Sequence, residues 1–129
     1  RAVLGLRDSL SGELPAVVIT GDFNDIPEAP PVLSLTSGTG LVNLAMSLHR
    51  RGEGTLKYNG KWELIDHFLV SPVLVGSVME IYSHSMLLEE DVKFLGVKPL
   101  RSYYGPMWHG GASDHLPIVL LLPSAFSPR

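Results

Sequence analysis

The sequence predicts layered α/β or α+β architecture in a single domain. Three observations carry that expectation. The chain opens on a stretch with helical spacing. A short β-branched apolar run and a second short helix follow it. The remainder then reads as a succession of strands. A length of 129 residues is that of one domain.

Residues 1–11, RAVLGLRDSLS, place Val3, Leu6 and Leu10 at helical intervals, with Gly12 and Pro15 where a helix stops. Ala16 to Thr20, between Pro15 and Gly21, predicts a buried strand. Pro30 and Pro31 ahead of Val32, Leu33 and Leu35 suit the first turn of a short helix. Leu41 to Leu48 fits a helix or a strand equally well. In TLKYNGKW, residues 55–62, Asn59-Gly60 between β-prone flanks predicts a hairpin. Glu63 to Ser71 is expected to continue as a strand closed by Pro72, and Ser77 to Ser83 to form another. Residues 84–100 read as a turn of helix with a loop, and RSYYGPMWHGGASDH, 101–115, as a long glycine-rich loop. Leu116 to Leu122 predicts the closing strand, with a frayed tail from Pro123.

The composition narrows the classes of function. A chain 45% hydrophobic and 18% charged is globular rather than disordered. Without cysteine it has neither disulfides nor thiolate metal sites. A net charge of −3 gives no global basic field, which weakens a nucleic-acid reading while leaving room for a local patch. No stretch approaches the length of a membrane span, so a soluble protein is expected. Because the chain opens on Arg1 rather than Met, the expectation is that the native start lies upstream, and localisation stays unassigned.

Three polar clusters sit at the edges of apolar strands. In GDFND, 21–25, Asp22 can orient or deprotonate a water and Asn24 can donate to an anionic oxygen, while Phe23 faces the core. The alternative is an Asx-rich turn with Asp25 capping the next helix. In LIDHFLV, 64–70, Asp66 is costly to bury unless paired and invites a distant histidine whose tautomer it fixes. His67 falls on the opposite face, and the alternative is an exposed edge-strand pair. In GGASDHL, 110–116, Asp114 offers hard oxygen to a cation and His115 can act as acid, base or phosphate ligand, against a plain Asx turn with a surface histidine. Lys61 and Trp62 beside the hairpin are candidates for a substrate groove, with cross-strand packing and ribbon-solvating Lys57 and Lys61 as the alternative. Arg101, Tyr103, Tyr104, Trp108 and His109 form an aromatic and cationic loop suited to rings or phosphates.

In this order GDFN, IDHFLVS and SDHLPI resemble the motifs of the endonuclease/exonuclease/phosphatase superfamily, the fold of deoxyribonuclease I. The resemblance implies a four-layered α/β/β/α sandwich, mainly antiparallel, of which this chain would be the C-terminal half. That family's domain is about twice as long. It also implies Mg²⁺- or Mn²⁺-dependent hydrolysis of phosphodiesters or phosphomonoesters. Asp22 and Asn24 would serve the attacking water and the phosphate, Asp66 would support His115, and Asp114 would contribute to the metal site. Asn24, His115, Lys61, Trp62, Tyr104 and His109 are the expected substrate contacts.

Members of the family cleave DNA, RNA, sphingolipids and phosphoinositides. The acidic balance mildly favours a small or lipid-linked phosphate ester over duplex DNA. The hairpin and the aromatic loop resemble uncharacterised bacterial members. The absent N-terminal half would carry further metal ligands. An inner sheet face rich in Val18, Phe68, Leu69, Ile118 and Leu120, or their neighbours, is therefore expected to meet water, or to pair with that half or with a second copy. The competing readings are an inactive fragment or phosphate-binding module, and an unrelated α/β domain in which Asp22, Asp66, Asp114 and His115 lie far apart.

Overall fold

A computed structural model describes residues 16–124. The expected helix over 1–11 lies outside the described residues. The elements are β1 (Val18–Asp22), α1 (Pro30–Thr36), β2 (Val42–Asn43), α2 (Ala45–Arg50), β3 (Leu56–Tyr58), β4 (Lys61–Glu63), β5 (Asp66–Val70), β6 (Val78–Ile81), β7 (Leu88–Glu90), β8 (Val97–Pro99), β9 (Tyr103–Tyr104), β10 (Met107–Trp108) and β11 (Ile118–Leu121). Among the described residues all strand pairings are antiparallel. β5 lies between β1 and β2, β11 pairs with β6, and three hairpins join β3 to β4, β7 to β8 and β9 to β10.

The core forms where α2 crosses the sheet. Ala45 and Leu48 of α2 pack with Leu64, Phe68 and Met79, and Ile81, Ile118 and Leu120 close over them. The ambiguous segment Leu41 to Leu48 is thus both, a two-residue strand followed by a helix. The change of state occurs at Asn43, whose Oδ1 accepts the Ala45 N–H at 2.9 Å. α1 begins on its two prolines as expected, but Asp25 does not cap it. Ala29 holds the cap position and the Asp25 carboxylate takes the neighbouring Ile26 N–H.

The expected strand from Glu63 to Ser71 is broken at Leu64 and Ile65, because the chain changes partners there. Glu63 still accepts from Thr55 N–H, whereas Ile65 accepts from Phe23 N–H, so β4 belongs to the hairpin and β5 to the sheet. β1 is also not the buried strand expected. It lies at the edge of its sheet, and Val18 is 41% exposed. Of the residues expected on a solvent-facing sheet, Phe68 and Leu69 are buried and Ile118 and Leu120 are half-buried. On β1, β6 and β11 the exposed apolar positions are Val18, Val78, Val119 and Leu121.

Asn59 and Gly60 take φ of 48° and 79°, the left-handed pair that a type I′ hairpin needs. Two further hairpins occupy segments expected as loops. β7–β8 turns through Leu95 and Gly96, both left-handed, and is held from outside. Lys57 Nζ donates to the carbonyls of Leu95 and Val97 and pairs with Asp91 at 2.9 Å, with both side chains almost wholly buried. Lys57 therefore does not solvate the ribbon, since its ammonium is the plug of the hairpin tip.

Candidate active site

The register of β1 on β5 places Asp22 directly opposite Asp66. Like charges across a strand pair repel, so this arrangement costs stability unless something else engages the carboxylates. For Asp66 the partners are visible. Its Oδ2 accepts the Thr55 hydroxyl at 2.5 Å and lies 2.8 Å from His115 Nδ1. An acceptor there makes Nδ1 the protonated nitrogen and leaves Nε2 for other chemistry. The ligand atoms of Asp22, Asp66 and His115 all lie within 4.8 Å of one another, a set that could hold a metal ion.

Asn24 sits two residues beyond Asp22, with φ of 56°, a left-handed conformation that asparagine tolerates. Its N–H donates to Asp22 Oδ1 at 2.8 Å, which ties the GDFND loop to the carboxylate it presents. The SDH loop is closed by an internal bond and anchored at its C-terminal side. His115 N–H donates to Ser113 Oγ at 3.0 Å, and Leu116 N–H donates to the Thr55 carbonyl at 2.8 Å. Asp114 is exposed, and its Oδ1 is 4.0 Å from His115 Nε2, outside the three-residue cluster.

Thr55 is the residue that sequence reasoning missed. Fully buried, it holds Asp66 with its hydroxyl and the base of the histidine loop with its carbonyl. The signal available was Gly54. A Cβ there would fall 2.6 Å from the Glu63 backbone nitrogen, so only glycine lets Thr55 come this close to the sheet.

His67 lies on the other face, as expected from strand alternation, and is buried on a central strand, which sets aside the alternative of an exposed edge-strand pair. Its ring stacks on Phe23 at 5.0 Å, Nε2–H donates to the Leu64 carbonyl at 2.9 Å, and Nδ1 faces the Asn43 amide at 3.3 Å. Burial holds its pKa below the ordinary histidine value. A neutral structural imidazole satisfies all three contacts.

Of the expected substrate contacts, Lys61 stands exposed beside the hairpin turn and Trp62 is half-buried in a groove with Ile81, Leu88 and Leu116. Tyr104 and His109 converge on Glu89. The Tyr104 hydroxyl donates to Oε1, and His109 Nε2 lies 3.0 Å from Oε2. Burial would raise the Glu89 pKa, but hydrogen bonds from Tyr104 and His109 outweigh it and hold the carboxyl below its ordinary value.

The model of the Endonuclease/Exonuclease/phosphatase family matches residues 6–124, most of the chain, and the protein belongs to that family. Its mainly antiparallel sheets with few helices agree with an α/β fold of that type. Membership makes it a domain of the phosphoesterase and nuclease type, acting on phosphate esters. No curated protein and no solved structure matches the chain. Among the described residues no helix is long and apolar enough to cross a membrane.

Proposed function

We propose that the chain carries the hydrolytic centre of a divalent-metal-dependent phosphoesterase. The carrying observation is the convergence of Asp22, Asp66 and His115 from three separate segments, with Asp66 hydrogen-bonded to His115. Two facing carboxylates suit a hard cation such as Mg²⁺ or Mn²⁺, which prefers oxygen and keeps several waters. Asp22 and Asp66 would hold it, with Asp114 as a further carboxylate at the rim. When bound, the ion supplies neutralisation of charge on the phosphate group.

The protein groups supply the rest. Asp22 accepts a proton from the attacking water, and the Asn24 carboxamide donates to a phosphate oxygen. Water oxygen bonds to phosphorus as the ester oxygen departs. Asp66 accepts from His115 Nδ1–H and orients the ring, so that His115, when protonated at Nε2, donates to the charge that accumulates on the phosphoryl oxygens or leaving group. A phosphate ester is the substrate class, and a phosphodiester the first to try. Hydrolysis of a chromogenic phosphodiester is expected with Mn²⁺ or Mg²⁺ and is expected to stop on chelation. Turnover that survives chelation would overturn the metal-dependent reading.

A further inference from the structure

A cavity of about 150 Å³ adjoins the centre, lined by Lys57, Lys93, Lys98, Arg101, Tyr104 and Asp114. Cavities of about this volume accept a benzene-sized guest, so a single phosphate or carboxylate fits. Its four cations face the carboxylates of Asp91 and Asp114 in the lining and of Glu89 beside Lys98, which leaves one positive charge in excess. Lys57 is neutralised by Asp91, and Lys98 shares Glu89 with Tyr104 and His109 at 3.5 Å. Arg101 and Lys93 have only aromatic partners among the described residues: the Arg101 guanidinium lies 5.0 Å from the Tyr104 ring and Lys93 Nζ 5.1 Å from the Phe94 ring. A guanidinium held on a ring keeps its donor fork free for a planar or tetrahedral anion. This cationic hollow belongs to a chain whose net charge is −3.

The cavity and the hydrolytic centre share a wall. Asp114 lines the cavity and stands 4.0 Å from His115 Nε2. The two are also fixed in register. A Cβ on Gly111 would fall 1.9 Å from the Leu100 carbonyl oxygen, Gly111 N–H donates to the Arg101 carbonyl at 3.2 Å, and Ser102 Oγ donates to the Ala112 carbonyl at 3.0 Å. The segment carrying Asp114 and His115 is therefore laid directly on the one carrying Arg101.

We propose that this cavity binds a second anionic group, phosphate or carboxylate, of a small phosphate-ester substrate. The substrate claim rests on the phosphoesterase reading, whereas the anion site does not. A nucleic-acid backbone is the less favoured occupant, because it needs cations spread along a groove and these gather in one hollow.

The first measurement is binding of inorganic phosphate in the presence of a chelator, followed by amide chemical shifts and calorimetry. Phosphate is expected to shift the amides around Arg101 and Lys93, and Arg101→Gln and Lys93→Gln are each expected to weaken binding about tenfold. Binding unchanged in both folded variants, or shifts centred elsewhere, overturns the site. The second measurement compares kcat/KM for an ester bearing a second phosphate with that for the same ester lacking it. A preference of about tenfold is expected, collapsing in Arg101→Gln. No preference, or a preference for an oligonucleotide over the soluble bisphosphate, overturns the substrate claim. Offering the bisphosphate in solution and as a vesicle headgroup separates a free metabolite from a lipid, and selective loss of either in Arg101→Gln supports the site. A chain that binds phosphate at Arg101 and hydrolyses neither ester defeats the phosphoesterase reading and leaves the anion site standing.

Discussion

At the scale of single residues, Asp66 is the pivot. One of its oxygens takes both the Thr55 hydroxyl and His115, so the orientation of the imidazole depends on a threonine that never faces solvent. Thr55→Val keeps the shape and removes the donor. A hydrogen bond to a charged group contributes about 1.5–3 kcal/mol, and a loss of that order is expected in urea unfolding. As a positioning residue, Thr55 is also expected to move kcat more than KM, with Thr55→Ser restoring kcat. Equal kcat in Thr55→Val and the wild type would limit Thr55 to packing. The pairing of Asp66 with a distant histidine was legible in the sequence, because an acid inside an apolar strand needs a partner. Thr55 was not, because a buried hydroxyl carries no chemical signature of its own.

At the scale of elements, local signals were readable and long-range ones were not. The Asn59-Gly60 turn is set by two adjacent residues and sits where the sequence places it. The β7–β8 hairpin escapes such a reading because its tip is secured by Lys57, some forty positions away. β9 and β10 escape it because they are two residues each. Breakage of the long strand at Leu64 likewise follows from a change of partner that no local pattern encodes. The loop carrying His115 depends most on backbone contact. Gly111→Ala would drive a methyl into the Leu100 carbonyl, and backbone cannot yield as a flexible side chain can. Lower melting temperature together with loss of turnover is expected for that variant. Gly105→Ala is the control, since a Cβ there meets nothing within 4 Å and only its left-handed φ of 57° is strained, a cost of roughly 1–2 kcal/mol.

At the scale of the whole molecule, the place of the three polar clusters at the edges of apolar strands fits one rim, and the antiparallel pairing of β1 with β5 shows how two of them reach it. It carries Asp22 and Asp66 to the same end of one sheet. The exposure of β1 was hidden, because edge or centre is decided by sheet order, not by composition. The carboxyls of Asp91 and Glu89, which tie β7–β8 to the rest, give the molecule an acid-side weakness. The Lys57 hydrogen bond holds Asp91 below its ordinary value. For Glu89, burial opposes the shift, but bonds from Tyr104 and His109 prevail. Groups with depressed pKa stabilise above their unfolded values, about 4, and lose that contribution as pH falls through the folded values. Thermal melting is therefore expected to fall steeply on acidification below about pH 4 and less steeply in Asp91→Asn, which starts from a lower melting temperature. Parallel curves for the two proteins would refute the coupling.

The most direct measurement is Mn²⁺-dependent hydrolysis of a chromogenic phosphodiester by the wild type and by His115→Ala, with folding of both checked by circular dichroism. A centre built on His115 predicts a loss on the order of 10²–10⁴-fold, the range of general acid–base catalysis. Turnover by a folded His115→Ala protein at the wild-type rate would contradict it.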